Sequence, residues 1–516
     1  MKKESHPLDI NRYSIADWLR RSARYFPGKV CLIIDGERTT YSELDQRVNR
    51  LANGLIDMGI SKGDKVAFLY PNCRQLVECY FAIAKVGAVS VPLNTRLSPR
   101  EYSYMIRNSD SRVLIYSAQF SQVIGSIRTE LKGVKLVNDG ESGSADIVTY
   151  EELVRDSSSD DPNVGVGLND GCIIYYTAGT TGFPKGAFLN HGNVIACAES
   201  HVVNFFGWGH EVWLGFPPWF HSAGAECFLM PAILKADTVV ATAAFDPIKT
   251  LEYIERYRVS CVFLIPAMSI MVLNVPDIDK YDLSSVRAFT SGAAPTPEEL
   301  KRRILKHFPN AGYYEGYGMT ETGTITQLNP EDSLRKEMCA GIPYHNVRMR
   351  LVDDDDNDVP VGEIGEVVVQ GPQVIHEYYK DPERTAEQTT GGWFHTGDLG
   401  KLDNEGYLYL VDRKKDMIIT GAENVYSAEV ESVLFSHPKV LEAAAIGLSD
   451  EKWGERVTAV VVLKEGLEMK EQELIDFCRD RLAHYKSPKQ VIFLNEPLPR
   501  TSSGKVLKRE LREKFR

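Results

Sequence analysis

A short segment rich in glycine, threonine and lysine stands out first: residues 177–186 have the sequence TAGTTGFPKG. Glycines let a backbone come close to a ligand, hydroxyl and amide groups can donate hydrogen bonds to oxygens, and a lysine supplies positive charge. This combination is typical of a loop that holds a polyphosphate. A Walker loop needs Gly directly before the Lys, whereas Lys185 lies between Pro184 and Gly186. The segment alone therefore indicates a phosphate loop of another kind or an ordinary glycine-rich turn.

Five further polar segments follow this loop, and each contains residues that could do chemistry. They are YYEGYGMTETG (313–323), WFHTGDL (393–399), DRKKD (412–416), TGAENVY (420–426) and PRTSSGK (499–505). Taken singly they are ordinary, since Asp398 could cap a turn, Glu321 could be a solvated acid at a helix start and Lys505 could be a solvated charge. The Gly316-Tyr-Gly318 spacing is not a dinucleotide fingerprint, because Glu321 stands where the third glycine belongs.

In combination and in this order, the six segments resemble those of the adenylate-forming superfamily, which comprises acyl-CoA synthetases, peptide-synthetase adenylation domains and beetle luciferases. The resemblance runs from near residue 15 to the C-terminus, and it indicates the acyl-CoA synthetase branch. It implies a reaction in which a carboxylate attacks the α-phosphate of ATP, giving acyl-adenylate and pyrophosphate, before a thiol takes the acyl group. Because nucleophile and phosphate are both negatively charged, cations and preorganised donors are needed.

The resemblance implies a role for individual residues in binding ATP. Thr320 is expected to contact the α-phosphate, and Glu321 is expected to hold Mg²⁺ against phosphate oxygens. Tyr317 is expected to stack on adenine, Asp398 to accept hydrogen bonds from both ribose hydroxyls, and Arg413 to assist at the ribose. The loop over the β- and γ-phosphates is expected to comprise Thr177, Gly179, Thr180, Thr181, Gly182 and Lys185.

Two arrangements of a mobile C-terminal domain are also implied. Lys505 is expected to be the catalytic lysine that spans the substrate carboxylate and the α-phosphate during adenylation. A swing about Lys415 is then expected to bring residues 420–426 to a tunnel for the CoA thiol, where Gly421 permits close approach. The chain departs from the usual family pattern at three loop positions, which are Ala178, Ala422 and Ser427.

The acyl pocket is expected to combine residues from three segments, which are 217–224, 291–295 and 314–318. His221 occupies the family's aromatic gate position near the reacting carboxylate, although a histidine beside aromatic residues is often structural. No acid lies between Pro217 and Gly224, where amino-acid-activating relatives carry Asp, and the matched pocket segments contain no Lys or Arg. An apolar fatty or aryl chain is therefore predicted. The remaining pocket residues are Gly292, Ala293, Tyr314, Gly316 and Gly318.

The leading hypothesis is an ATP-dependent carboxylate–CoA ligase that uses ATP, Mg²⁺ and coenzyme A and takes a small carboxylic acid. A carrier-protein loading enzyme would share every motif, and a luciferase-like oxygenase would form the same adenylate. A non-enzymatic nucleotide sensor is disfavoured because Glu321 and Lys505 are both present. A serine hydrolase is disfavoured because the sequence contains no G-x-S-x-G elbow.

Composition limits the remaining function classes. The length of 516 residues predicts about two to four domains, and the net charge of −12 disfavours a nucleic-acid surface. Nine cysteines without a C-x-x-C pair indicate reduced thiols. The N-terminal 14 residues lack the apolar run of a secretory signal, and the uncharged run 259–275, which includes Pro266, predicts a buried strand and helix rather than a membrane span. We expect a cytoplasmic protein, with the oligomeric state open and a homodimer as one option.

The pattern of apolar residues predicts an α/β fold, in which a large N-terminal domain of layered αβ subdomains and a small β-barrel precedes a smaller α+β domain. Asp35-Gly36 predicts a hairpin between strands near residues 30–34 and 38–41, and a following helix is expected to begin at Ser42 with Asp45 completing its cap. Residues 348–371 are expected to form a meander or small barrel, and the acid run 353–356 a hairpin turn rather than a calcium loop. The expected domains are 1–411 and 417–516, joined by a hinge at 412–416.

Overall fold

The computed structural model describes residues 12–516, apart from residues 141–146, 178–183, 205–209, 243, 293–294, 421–422, 451 and 501–505. By the density of its internal contacts, the chain divides into a larger unit, Met1–Met349 with Val369–Phe394, and a smaller unit, Arg350–Val368 with His395–Arg516. The expected α/β class, with a larger N-terminal and a smaller C-terminal part, is confirmed. The functional boundary at residues 412–416 stays a prediction.

One sheet of the larger unit carries the glycine-rich segment. Its strands in chain order are β3 (Lys65–Leu69), β4 (Val89–Pro92), β5 (Ser111–Tyr116), β6 (Lys135–Asn138), β7 (Ile147–Thr149), β8 (Gly171–Thr177), β9 (Lys185–Asn190) and β19 (Glu377–Tyr378). They lie in the order β19-β9-β8-β4-β3-β5-β6-β7. Pairing is parallel from β8 to β7 and antiparallel for β8 with β9 and for β9 with β19. This antiparallel edge places the two ends of the glycine-rich segment on neighbouring strands.

A second sheet of the larger unit carries the YYEGYGMTETG segment. Its strands are β1 (Val30–Ile34), β2 (Glu37–Thr40), β10 (Val212–Gly215), β11 (Thr238–Ala241), β12 (Cys261–Phe263), β13 (Ala288–Gly292), β14 (Gly312–Met319), β15 (Gly323–Leu328) and β16 (Ile342–Pro343). They lie in the order β16-β15-β14-β13-β12-β10-β11-β1-β2. The central pairs from β1 to β14 are parallel, and β14 with β15 is an antiparallel hairpin.

The helices cover the faces of these sheets and of the sheet in the smaller unit. They are α1 (Ala16–Tyr25), α2 (Tyr41–Asp57), α3 (Arg74–Val86), α4 (Pro99–Asn108), α5 (Ser121–Ser126), α6 (Tyr150–Asp156), α7 (His191–Asn204), α8 (Ser222–Gly224), α9 (Met230–Leu234), α10 (Pro247–Tyr257), α11 (Pro266–Leu273), α12 (Glu298–His307), α13 (Pro382–Gln388), α14 (Ser427–Phe435), α15 (Glu471–Arg479) and α16 (Lys508–Lys514). A π-helix, Ala225–Leu229, joins α8 to α9. The run 259–275 forms β12 and α11, as expected.

The start of α2 differs from the expectation. The N-cap is Thr40, whose side chain accepts from the backbone N–H of Glu43 while the Glu43 carboxylate accepts from the backbone N–H of Thr40. The expected cap at Ser42 with Asp45 is therefore wrong by two residues. A glutamate is long enough to reach back to the N-cap backbone, and Tyr41 is fully buried as the first helical residue.

The core of the second sheet consists of apolar side chains from the sheet and from α10, α11 and α12. Val262, Phe289 and Tyr313 of β12, β13 and β14 pack against helix residues such as Leu251 and Ile304. Burial of each such side chain stabilises the fold by roughly 1.5–3 kcal/mol. This packing fixes the strands whose ends carry the candidate site residues.

A third sheet contains the strands of the expected meander. They are β17 (Arg348–Val352), β18 (Gly365–Gln370), β20 (Thr389–Thr390), β21 (Trp393–Leu402) and β22 (Leu408–Arg413). Their order is β17-β18-β21-β20, and β22 also pairs with β21. The Asp353 carboxylate accepts hydrogen bonds from the backbone N–H groups of Asp355 and Asn357, both at 2.9 Å, so the acid run forms the expected turn.

The last sheet of the smaller unit has helices on both faces. Its strands are β23 (Ile418–Thr420), β24 (Glu423–Val425), β25 (Val440–Asp450), β26 (Gly454–Leu463) and β27 (Gln490–Leu494), with the order β24-β23-β26-β25 and β27 on β26. Ala443 and Ala445 face a core that contains Leu474 of α15, whereas Ala444 and Ile446 face one that contains Leu511 of α16. Successive strand residues point to opposite faces, which explains the near-continuous apolar run.

No helix in the described part of the chain is both long enough and apolar enough to span a bilayer.

Candidate active site

The ends of the glycine-rich segment are held opposite each other by strand pairing. Thr177 at the end of β8 is the antiparallel partner of Lys185 at the start of β9. Gly179, Thr180, Thr181 and Gly182, which were expected to contact phosphate, lie outside the described residues. The hairpin therefore brings together two of the six expected loop residues, one hydroxyl and one cation.

Thr320 and Glu321 lie in the tight turn between β14 and β15. The backbone N–H of Thr322 donates to the Met319 carbonyl at 3.1 Å, which closes the turn. A Cβ at Gly318 would lie 2.1 Å from the Gly323 carbonyl oxygen, so only glycine allows the two strands to approach this closely. Tyr317 precedes this glycine on β14. The turn thus presents Thr320 and Glu321 from a rigid hairpin rather than from a helix start.

The Glu321 carboxylate, in the β14–β15 turn, contacts residues of the β8–β9 hairpin and of β19. Its Oε1 atom accepts from the Thr177 hydroxyl at 3.2 Å and from the Tyr378 hydroxyl at 3.0 Å, and the Lys185 ammonium lies 2.9 Å away. The Lys185 ammonium also donates to the Tyr378 hydroxyl at 2.8 Å and lies 4.4 Å from the centre of the Tyr378 ring. Glu321 is only 2 % exposed. The structure therefore joins the partly buried Thr177 and Lys185 to the buried Glu321 carboxylate in one cluster.

The electrostatics of this cluster keep the Tyr378 hydroxyl protonated. Burial, followed by the negative charge of the adjacent Glu321 carboxylate, raises the pKa of Tyr378 above its ordinary value. Tyr378 consequently remains a hydrogen-bond donor to Glu321 at all physiological pH values. Lys185 is the cation that balances the buried carboxylate charge in this arrangement.

The donor set around Glu321 fits a magnesium ion. Mg²⁺ prefers oxygen ligands, and it is usually bound through one or two carboxylates together with substrate phosphates. The hydrogen bonds from the Thr177 and Tyr378 hydroxyls both go to Glu321 Oε1, and they orient the carboxylate. Glu321, with the Thr177 hydroxyl nearby, is thus the side chain that would hold the ion.

The segment expected to line the acyl pocket contacts the same turn. The Ser222 hydroxyl donates to the Thr320 hydroxyl at 3.1 Å, which places the residue after His221 directly beside the expected α-phosphate contact. His221 itself precedes the short helix α8, and its ring lies 4.7 Å from the ring of Phe220. The structure therefore brings His221 and Thr320 to one end of the second sheet.

The other expected pocket residues lie on the adjacent strands β13 and β14. Gly292 is the parallel partner of Gly316, and Tyr314 is the partner of Thr290. A Cβ at Gly292 would approach the Gly316 carbonyl oxygen to 3.1 Å. Ala293 lies outside the described residues. Gly292, Tyr314 and Gly316 are thus neighbours, as a shared pocket requires.

The expected ribose contacts pair with each other in the smaller unit. Asp398 on β21 is the antiparallel partner of Arg413 on β22, and the Arg413 Nε atom lies 2.9 Å from Asp398 Oδ1. Asp398 is 6 % exposed, and its backbone N–H donates to the Thr396 hydroxyl at 3.1 Å. Lys415 lies in the turn between β22 and β23. Gly421 and Lys505 lie outside the described residues.

Comparison with known proteins decides the family. The profile of the AMP-binding enzyme family matches residues 19–379, and the profile of the AMP-binding enzyme C-terminal domain matches residues 429–505. The chain belongs to the AMP-binding enzyme family.

Relatives of the enzyme cover nearly its whole length. It is 39% identical over 507 residues to a feruloyl-CoA synthase of Amycolatopsis sp, with 98% of this chain and 100% of the relative covered. It is 39% identical over 479 residues to a long-chain-fatty-acid–CoA ligase of Mycobacterium tuberculosis, with 93% of each chain covered. The o-succinylbenzoate CoA synthetase of Bacillus subtilis, solved with its acyl-adenylate intermediate, has a TM-score of 0.84 and 32% identity and covers 96% of this chain and 97% of its own. The assignment to the AMP-forming acyl-CoA synthetases is confirmed.

Two further residues of the enzyme contact the expected site residues: Tyr378, which sequence reasoning missed, and Ser222, which lies in the expected pocket segment 217–224 but was given no role of its own. Tyr378 bonds to Glu321 although 57 positions separate them, and Ser222 bonds to Thr320 across 98 positions. Tyr378 lies in β19, which pairs with β9 beside Lys185. The only sequence signal was the aromatic pair Tyr378-Tyr379, which has no characteristic spacing from the other motifs.

Proposed function

We propose that the enzyme is an ATP-dependent carboxylate–CoA ligase that converts an aryl or fatty acid to its acyl-adenylate and then to its CoA thioester. The observation that carries this proposal is the cluster in which Thr177 and Lys185 of the β8–β9 hairpin and Tyr378 of β19 meet the buried Glu321 carboxylate. It combines a cation, a carboxylate and hydroxyl donors, which are the groups needed to offset the repulsion between a carboxylate nucleophile and a triphosphate.

Lys185 supplies positive charge to the β- and γ-phosphates. To do so, its ammonium leaves Glu321 Oε1 and donates to phosphate oxygens, while its side chain stays anchored at the start of β9. Thr177 lies across the hairpin from it and adds a hydroxyl donor. Glu321 keeps the hydrogen bonds from Thr177 and Tyr378 and is thereby oriented for a divalent cation. When bound there, Mg²⁺ would offset negative charge on the phosphate oxygens.

Thr320 is proposed to position the α-phosphate beside the acyl carboxylate. Its hydroxyl accepts from Ser222, so one side of Thr320 faces the segment that carries His221. The aromatic neighbour Phe220 and the absence of Lys and Arg from the pocket segments favour an apolar acyl chain. The relatives named for feruloyl-CoA, long-chain fatty acids and succinylbenzoate support an aryl or fatty acid as the substrate.

The smaller unit is proposed to complete both half-reactions. The Asp398 carboxylate, oriented by Arg413, is suited to accept hydrogen bonds from the two ribose hydroxyls of ATP. Residues 412–416, which include the turn at Lys415, are proposed to act as a hinge. Rotation about it would bring Lys505 to the active site for adenylation and the loop that contains Gly421 for thioester formation. The motifs PRTSSGK and TGAENVY support these last two roles.

A cytoplasmic location is also proposed. All nine cysteines are free thiols, and burial raises the pKa of the Cys478 thiol to about 11, so that thiol is not a reactive thiolate. Reduced cysteines are typical of cytosolic proteins.

Pyrophosphate release across a panel of short, medium, long and aromatic acids, with and without CoA, tests the proposed function. Release with aryl or fatty acids and ATP·Mg²⁺, followed by acyl-CoA formation when CoA is added, is the expected result. Release of pyrophosphate without any acyl-CoA would indicate carrier-protein loading instead. If no acid on the panel gives pyrophosphate, the proposal is wrong.

A further inference from the structure

Behind the β14–β15 hairpin lies a cluster of metal-ligating side chains that the proposed reaction does not use. Among the described residues, the Sγ atoms of Cys197 and Cys227 and a ring nitrogen of His201 lie within 4.8 Å of one another. Cys197 and His201 are four residues apart on α7 and so share one face of that helix. Cys227 comes from the π-helix Ala225–Leu229, a rare element that often occurs at functional sites.

The hydrogen bonds of His201 set the tautomer that a metal ion needs. The Tyr344 hydroxyl donates its proton to Gln327 Oε1 at 2.8 Å. Because the hydroxyl proton of Tyr344 is used in that bond, the Tyr344 oxygen is the acceptor in its 2.9 Å contact with His201 Nδ1. Nδ1 therefore carries the imidazole proton. Nε2 then holds the lone pair, and it points to the Thr324 hydroxyl at 3.4 Å, which in turn lies 3.5 Å from Cys227 Sγ. A partner that fixes the second ring nitrogen is a regular feature of metal-bound histidines.

A buried carboxylate beside the cluster is a second, independent observation that points to a cation. Glu226 is 1 % exposed, and neither of its carboxylate oxygens has a hydrogen-bond partner among the described residues. It faces the Cys197 thiol and the Tyr175 hydroxyl without a bond of normal geometry to either. A carboxylate buried in this way is expected to neutralise itself or to pair with a cation.

We propose that Cys197, His201 and Cys227 bind a soft divalent transition-metal ion of the Zn²⁺ type, with Glu226 as the nearby fourth donor or countercharge. Thiolate and imidazole ligands favour Zn²⁺ over Mg²⁺, which prefers oxygen. In a tetrahedral zinc site, neighbouring ligand atoms are about 3.5–3.8 Å apart, so the ligands need to close by no more than about 1 Å. Binding converts both thiols to thiolates and releases their two protons to solvent.

The position of the site indicates what the ion would do. A Cβ at Gly323 would lie 2.9 Å from Cys197 Sγ, so α7 packs directly against the first residue of β15. The ion would link α7, which carries Cys197 and His201, to the π-helix, which carries Cys227. Thr324, whose hydroxyl lies 3.5 Å from Cys227 Sγ, connects this site to β15, the strand that follows the Glu321 turn. Cys227 is only partly buried, which leaves a route for the ion to enter.

Cobalt titration of the purified, chelator-treated full-length protein under a phosphine reductant tests this proposal, because Co²⁺ bound by thiolate gives a near-ultraviolet charge-transfer band. Wild type is expected to bind one Co²⁺ per chain with this band, to release it to Zn²⁺, and to retain it in excess Mg²⁺. Cys197→Ser and Cys227→Ser are expected to lose the band and to bind at least about tenfold more weakly. The matched control is Cys73→Ser, another partly exposed cysteine outside the cluster, which is expected to behave as wild type.

Thermal melting of the metal-free proteins shows whether each variant is folded. Little change in melting temperature is expected, since serine is close in size to cysteine. If a variant melts well below wild type, His201→Gln serves as the second test of the same ligand set. The proposal is overturned if wild type shows no thiolate band, if Mg²⁺ displaces Co²⁺, or if the cluster variants bind Co²⁺ as tightly as Cys73→Ser. It does not depend on the proposed ligase activity, because metal binding is measured without substrates.

Discussion

Replacing Tyr378 with phenylalanine is expected to damage ATP use while leaving the fold intact. The substitution keeps the ring that lies 4.4 Å from the Lys185 ammonium, and it removes only the hydroxyl. That hydroxyl donates to Glu321 at 3.0 Å and accepts from Lys185 at 2.8 Å. Under the proposed function, Tyr378 is a positioning residue, which would act on the phosphates through Glu321 and Lys185.

The size of the effect follows from the charge and burial of the partners. A hydrogen bond to a charged group contributes about 1.5–3 kcal/mol, and Tyr378 and Glu321 are 1 % and 2 % exposed, so water replaces the lost donor poorly. The corresponding loss in kcat/KM for ATP is about ten- to one-hundred-fold. The KM for the carboxylic acid is expected to change little, because Ser222 of the expected acyl-pocket segment contacts Thr320 rather than Tyr378.

Steady-state pyrophosphate release at varied ATP·Mg²⁺ measures this loss. The matched control is Tyr379→Phe, since the Tyr379 hydroxyl bonds at 3.0 Å to Asp110, whose side chain is 55% exposed. The control is expected to stay within about twofold of wild type, as surface changes usually do. Equal activities of Tyr378→Phe and Tyr379→Phe would refute the reasoning, and so would an equal rise in the KM values for ATP and for the acid.

Four further outcomes are expected. Gly318→Ala places a Cβ 2.1 Å from the Gly323 carbonyl oxygen and is expected to abolish adenylation, whereas Gly165→Ala, which meets no atom within 4 Å, should leave it unchanged; pyrophosphate release measures both. Burial lowers the pKa of His191 to about 4, so the imidazole stays neutral in the folded protein while it takes up a proton in the unfolded chain below about pH 6.5. The free energy of unfolding is therefore expected to fall between about pH 6.5 and 4, by up to about 1.4 kcal/mol per pH unit. His191→Gln should flatten this slope in thermal melts, and an unchanged slope would contradict the reasoning. Asp398→Ala should erase the preference for ATP over 2′-deoxy-ATP, expected to be about tenfold in wild type, and a preserved preference in competition assays would exclude ribose contact. Lys505→Ala should lower adenylate formation by about a hundredfold or more while transfer from synthetic acyl-adenylate to CoA stays within about threefold; equal losses in the two half-reactions would argue against its role.

Local sequence signals predicted the elements of the fold well, because each rests on short-range physics. Asp35-Gly36 gave the expected hairpin, in which Ile34 pairs with Glu37. The start of α2 was misplaced because two candidate caps overlap there. The local sequence distinguishes them, because Thr40-x-x-Glu43 is a full capping box, whereas the aspartate of Ser42-x-x-Asp45 is too short to reach back to the N-cap backbone. Burial of Tyr41, whose hydroxyl donates to the distant Asp237 carbonyl at 2.6 Å, adds a tertiary contact at this start.

The candidate site was predictable only where family motifs mark it. Thr177, Lys185 and Glu321 were expected from three motif positions, and the structure joins them. Tyr378 was missed because its contact with Glu321 requires β19 to add to the edge of the first sheet beside β9. Pairing of an edge strand across about 190 residues depends on the assembled sheet, so neither periodicity nor spacing in one sequence could predict it.

If Glu321 holds a divalent cation as proposed, this carboxylate couples binding of the nucleotide to binding of the cation. In the described arrangement, Lys185 balances the Glu321 charge, and Thr177 and Tyr378 add only neutral donors. Once Lys185 turns to the phosphates, Glu321 would be a buried carboxylate without a counterion, which costs several kcal/mol. A cation at Glu321 would remove that cost, so under the proposed function ATP and the divalent ion are expected to raise the affinity of the enzyme for each other by the same factor. Under the proposed function, Lys185 would have a second role besides contact with phosphate, because its ion pair stabilises the Glu321 carboxylate until both ligands are present. ATP without a divalent ion is therefore expected to compete poorly with this ion pair.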